Sequence, residues 1–150
     1  MKKIITGIMI LSIILGLSGC GASYYEGQLK SSYNPISMNG ASKDKGAIIK
    51  VADGLIIWKV DEERKVSFVK VMFGKGLDSI VVNEGKHTLS CSRGMDINIG
   101  SINYKSGHEY FIDYLEIVDG RRKSIHYWVK DLTDNKIIFG KEKTKKDFKQ

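Results

Sequence analysis

The chain has 150 residues, with 24 Lys and Arg against 17 Asp and Glu, a formal charge of +7. Hydrophobic residues make up 42% and charged residues 27%, which excludes a disordered chain, and one Pro with 16 Gly excludes a Pro-rich spacer or a collagen-like repeat. The positive excess is modest and forms no dense basic stripe interleaved with aromatics, so nucleic acid is not an expected partner.

Met1-Lys2-Lys3 is a short positive segment, and Ile4 to Leu17 is an uncharged, mostly apolar run of 14 residues. That is the length of a signal-peptide core and too short for a comfortable transmembrane helix. Leu17-Ser18-Gly19-Cys20 follows directly. This stretch resembles the lipobox of bacterial lipoproteins, with Leu three residues before the cut, small residues next to it, and Cys first in the mature chain. The resemblance implies cleavage before Cys20 and a diacylglycerol thioether on its sulfur. In many bacteria a further acyl chain, such as palmitate, is added to the new amino group. Residues 1–19 are then a lipoprotein signal peptide, and residues 20–150 carry 22 basic against 17 acidic side chains, or +5. The lipid bilayer becomes the expected partner, and a modest positive charge favours its anionic headgroups. Gly21 stands where an Asp tends to retain such proteins in the inner membrane. In a Gram-negative envelope this points to the periplasmic face of the outer membrane.

Residues 20–46 form the lipidated N-terminus and a flexible linker or loosely docked arm, since small and polar residues dominate and no period persists. From Ala47 the chain reads as strand after strand. Ala47–Val51 and Leu55–Val60 flank an Asp53-Gly54 turn signal and read as a hairpin. Val66 to Phe73 is apolar and reads as a further strand, closed by Gly74-Lys75-Gly76. Ser79–Val82 and Lys86–Ser92 follow. Met95, Ile97 and Ile99 alternate with Asp96 and Asn98, the cleanest period of two in the chain. Glu109–Val118 is apolar on both faces and predicts a central strand. Ser124–Val129 and Lys136–Gly140 complete the set. Residues 141–150 are a basic tail of five Lys and two acids, frayed or forming a short helix. About eight short strands over residues 47–140 predict an all-β fold, a small antiparallel β-sandwich or open barrel.

Three segments carry a second resemblance. Ile80-Val81-Val82-Asn83-Glu84-Gly85-Lys86-His87-Thr88-Leu89, Gly107-His108-Glu109-Tyr110, and Trp128 with Asp131 are similar to turn and core signatures of small envelope lipoproteins. Those proteins have PEGA-like or carbohydrate-binding-like β-sandwiches. The chain departs from them at Glu84, where they usually have Pro. The resemblance implies a fold and a compartment and carries over no catalytic residue.

The residues offer little chemistry. His87, His108 and His126 are 21 and 18 apart, without metal-ligand spacing. His87 and Cys91 lie four apart on a strand, about 13 Å, so they form no nucleophilic pair. With Cys20 acylated, Cys91 has no disulfide partner, and sharing a strand face with Leu89 it reads as a buried small hydrophobe. Gly74-Lys75-Gly76 lacks phosphate-loop spacing. Trp58 and Trp128 are core anchors or, on the sharper reading, a sugar-stacking platform. No enzyme, cofactor or metal is expected. The leading expectation is a membrane-anchored lipoprotein with a non-enzymatic binding or accessory role beside an envelope protein partner. The alternative is a small solute- or glycan-binding β module. The oligomeric state is not legible.

Overall fold

The computed structural model describes residues 21–148. The strands, in chain order, are β1 (Ser23–Glu26), β2 (Ile36–Ser37), β3 (Ala47–Val51), β4 (Ile56–Val60), β5 (Glu63–Arg64), β6 (Ser79–Val82), β7 (Gly85–Ser92), β8 (Asp96–Tyr104), β9 (Glu109–Asp119), β10 (Arg122–Asp131) and β11 (Lys136–Gly140). One helical turn, α1 (Phe68–Met72), lies between β5 and β6, and a 3-10 turn spans Lys145–Phe148. The larger sheet has seven strands in the order β11-β10-β9-β3-β6-β2, with β1 also on β9. The smaller sheet has four, β5-β4-β7-β8. Both are open, and the result is the expected small, mostly antiparallel β-sandwich.

The core is the apolar set that the alternation selects. Ile49, Val51, Ile57, Leu89, Cys91, Ile97, Ile99, Tyr110 and Ile112 are all buried in one cluster. Asp96 and Asn98, the alternates of Ile97 and Ile99, are exposed, as one solvated sheet face requires. Strand β9 is central as expected: β10 runs along one side, and on the other β3 pairs with Glu109–Ile112 and β1 with Leu115–Val118. Its second face is buried as well. Leu115 is fully buried and lies opposite His126 of β10, whose ring is packed against Phe148 at 4.9 Å.

Two local expectations are corrected. The Val66–Phe73 strand is instead α1, with Val71 N–H donating to the Ser67 carbonyl at 3.1 Å. A short apolar run carries no period that separates strand from helix. The turn at Asp53-Gly54 exists, with Gly54 at φ +77°, but β3 and β4 belong to different sheets and do not pair. Ala52 and Leu55, both fully buried, take the chain across the core instead.

The expected linker is docked. Gly27 N–H donates to the Tyr114 carbonyl at 2.9 Å between β1 and the end of β3, and Tyr33 Oη donates to the Val51 carbonyl at 2.8 Å. Met38 and Ala41 are buried. The side chain of any residue but Gly at position 27 would run into Ala52, Asp113 and Tyr114. The tail is held too, by Lys145 to Glu26 at 3.8 Å and by Tyr24 Oη to the Phe148 carbonyl at 3.5 Å.

The sandwich has two distinct ends. At the entry end lie the start of β1 (Ser23 opposite Val118), the β7–β8 turn, the β9–β10 hairpin tip and α1, which shares a surface depression with that β7–β8 turn. At the far end lie the β6–β7 turn and the β8–β9 and β10–β11 loops.

Candidate functional site

Leu17, Ser18, Gly19 and Cys20, the residues expected to form a lipobox, lie outside the described residues. The two tryptophans do not form a platform. Trp128 on β10 is buried, and Trp58 on β4, in the other sheet, is half-buried with the Arg64 guanidinium over its ring at 5.2 Å. Cys91 is fully buried, and desolvation pushes its thiol up to about 12, which keeps it protonated and unreactive.

The three histidines do not converge on one another. His87 Nδ1 is 2.5 Å from Asp61 Oδ2, and His126 is packed on Phe148. His108 has the most elaborate surroundings. It sits in the β8–β9 loop at the far end, and its Nδ1 is 2.8 Å from Oδ2 of Asp131, the last residue of β10. Asp134, in the β10–β11 loop, brings its Oδ2 to 4.0 Å from the same nitrogen and 3.5 Å from Lys105 Nζ. One ligand atom from each of His108, Asp131 and Asp134 falls within 4.8 Å of the others.

Asp131 organises this group. It is 3% exposed, and its Oδ1 accepts the N–H groups of Thr133 and Asp134 at 2.9 and 3.0 Å. Burial by itself would raise its carboxyl. The hydrogen bonds from Asp134 N–H, His108 and Thr133 N–H outweigh that and hold it below the ordinary carboxylate range. Thr133 Oγ1 accepts the Glu109 N–H at 3.0 Å, and Leu132 N–H donates to the Glu109 carbonyl at 2.7 Å. Asp131 lies opposite Tyr110, whose hydroxyl accepts the Lys105 N–H at 2.9 Å. The Gly107-to-Tyr110 and Trp128-to-Asp131 signatures therefore meet in space as one lock between two loops. Both Asp131 oxygens are already hydrogen-bonded, so the group's evident chemistry is ion pairing and loop fixation. Nothing in the spacing of His108 and Asp131, 23 residues apart, announces it; the signal in the sequence was that each belongs to one of these two signatures and sits at a strand end in turn-like sequence.

A cleft of about 360 Å³ opens beside this lock, between β8 and β11, with Ser101, Asn103, Lys136 and Phe139 in its walls. Tyr127 Oη donates across the same seam to the Asn98 carbonyl at 3.1 Å, partly closing the edge of β8.

The entry end is built on a different carboxylate. Glu116, buried on β9, takes Arg93 Nε at 2.6 Å on one oxygen and Lys123 Nζ at 3.1 Å on the other. Burial would raise its carboxyl, but the hydrogen bonds from Lys123 and Arg93 lower it on balance. Arg93 also lies over the Tyr114 ring at 4.4 Å, and Lys123 donates to the Arg93 carbonyl at 3.2 Å. The β7–β8 turn is thereby fixed to the β9–β10 hairpin. Among the described residues no helix is long and apolar enough to cross a membrane. Set against known proteins, the chain matches no family model, no curated protein and no solved structure closely enough to show kinship.

Proposed function

We propose that the protein is a lipid-anchored component of a bacterial cell envelope, whose β-sandwich serves as a non-enzymatic binding or accessory module. The observation that carries this reading is Leu17-Ser18-Gly19-Cys20 placed directly after Lys2-Lys3 and an uncharged 14-residue apolar run. Diacylation would make the attachment effectively permanent, since each buried methylene contributes roughly 0.8 kcal/mol. Such an anchor raises the effective concentration of the domain near membrane partners, so weak contacts suffice.

The docked arm supports a close seat at the bilayer. Only Gly21 and Ala22 separate Cys20 from β1, and three residues span at most about 11 Å. The glycan-binding alternative depends on an exposed tryptophan beside polar groups. Trp128 is buried and Trp58 carries Arg64, so the accessory reading is preferred.

The test is expression of the full chain in a lipoprotein-processing bacterium, with intact mass measurement and in-cell crosslinking. The reading expects a mature chain starting at acylated Cys20, and a protein that copurifies reproducibly. A C20A variant that is processed and membrane-bound like the parent would contradict the anchor. Copurified glycan without a protein partner would contradict the accessory role.

A further inference from the structure

Val69 and Met72 of α1 and Phe73, which caps its C-terminus, are 62, 69 and 76% exposed, while Met95 of the β7–β8 turn is 45% exposed. Residues 69, 72 and 73 have the spacing of one helix face. Met72 and Met95 line the same shallow depression, which brings the β7–β8 turn up against this face. A contiguous exposed apolar surface marks an interaction site.

Two further observations say what covers it. The first is charge. Lys70 and Lys75 are exposed within and just after α1, and Arg121 and Arg122 are exposed at the neighbouring β9–β10 tip. The exposed acids on these same turns are Asp96 and Asp119, so the apolar face is rimmed by a net excess of cations. The Lys-rich tail is docked on β1 and β10 on the way to the same end. The second is position. Ser23, Val118 and Lys123 are register neighbours across β1, β9 and β10, and Lys123 is bonded to Arg93 of the β7–β8 turn. The chain therefore leaves the domain toward Cys20 at the end that carries the apolar face.

We infer that the entry end is a membrane-docking face, in which Val69, Met72, Phe73 and Met95 insert into the interface of a bilayer containing anionic lipid and the surrounding Lys and Arg meet its headgroups. This rests on the lipid anchor proposed above. The anchor alone would leave the domain free to tumble. The apolar face fixes one orientation, with side chains about 5–10 Å into the headgroup boundary, and points the His108–Asp131 end and its cleft away from the membrane toward partners.

The full, lipidated chain is placed in vesicles of one part phosphatidylglycerol to three parts phosphatidylcholine. F73C, M95C and E84C variants are each labelled with an environment-sensitive fluorophore, buried Cys91 remaining unlabelled, and quenching by nitroxide lipids is measured. Quenching at positions 73 and 95 is expected to exceed that at the far-end position 84 by about threefold or more. Intact mass of the same samples reports the anchor separately. With Cys20 acylated, equal quenching at all three positions overturns the docking face and leaves the anchor standing. With no acyl mass the anchor reading fails. Quenching at 73 and 95 would then still uphold the face by itself, and its absence would overturn both. Position 73 shielded only in a dimer of doubled mass would assign the surface to a second copy and also overturn the proposal.

Discussion

His108 Nδ1 and Asp131 Oδ2 lie 2.8 Å apart, and this bond joins the loop before β9 to the last residue of β10. Because Asp131 is buried and also caps the β10–β11 loop through two N–H groups, it is the pivot of the far end. Asp131→Ala leaves those donors and His108 without their acceptor, and a loss of about 2–4 kcal/mol is expected in urea unfolding. His108→Ala should cost less, since Oδ1 keeps both of its donors.

The same carboxylate predicts an acid limb. Its folded pKa is depressed, so the stability it contributes is fully present above the unfolded Asp value near pH 4 and is lost as pH falls through the folded value. Unfolding free energies between pH 6 and pH 2 should therefore fall less steeply for Asp131→Asn, from a lower starting point, than for the parent. Parallel pH profiles would show that the carboxylate is not the source.

Glu116 neutralises both Arg93 and Lys123 at the entry end. Glu116→Leu would leave two cations against a buried apolar side chain and is expected to destabilise by roughly 3 kcal/mol. Hydrogen exchange in the β7–β8 turn should quicken in step with that loss. A thermal midpoint and exchange pattern equal to the parent's would remove Glu116 from this role.

Gly27 is where the N-terminal arm passes between β1 and the end of β3, against Asp113, Ala52 and Tyr114. Gly27→Val should release the arm while the sandwich persists, at a cost of about 1–3 kcal/mol. Trypsin would then cut at Lys30 much faster than in the parent, with the 47–140 core left intact. Unchanged cleavage at Lys30 would mean that the arm is held by its other contacts alone.

Cys91 is buried with its thiol pushed up to about 12. A neutral disulfide reagent should leave it untouched in the native protein at pH 8 and modify it at the rate of unfolding once urea is added. Prompt native labelling would place it at the surface.

Much of the fold is written in local pattern. Ile97 and Ile99 alternate with Asp96 and Asn98 and fall inside and outside as the pleat requires, and the two apolar faces of Glu109–Val118 foretold a strand covered on both sides. Turn chemistry marked Asp53-Gly54 and Asp119-Gly120, but a turn does not say whether its flanking strands pair. At Gly120 they do, with Asp119 opposite Arg122, whereas at Gly54 the chain changes sheets. The Val66–Phe73 run failed as a strand because a mostly apolar run of eight residues without a period fits either element, and the neighbours settle the choice.

By itself, then, the sequence determined the alternating core, the strand-rich class, and the Leu17-Ser18-Gly19-Cys20 motif on which the proposed anchor rests, a motif local in the chain. Only the tertiary structure decided that the arm docks on β9, that His108, Asp131 and Asp134 meet, and that α1 shows its apolar face beside the point where the chain enters. Those relations join residues tens of positions apart, and their cost or gain is fixed by burial and hydrogen bonding between elements. No spacing along the chain encodes them.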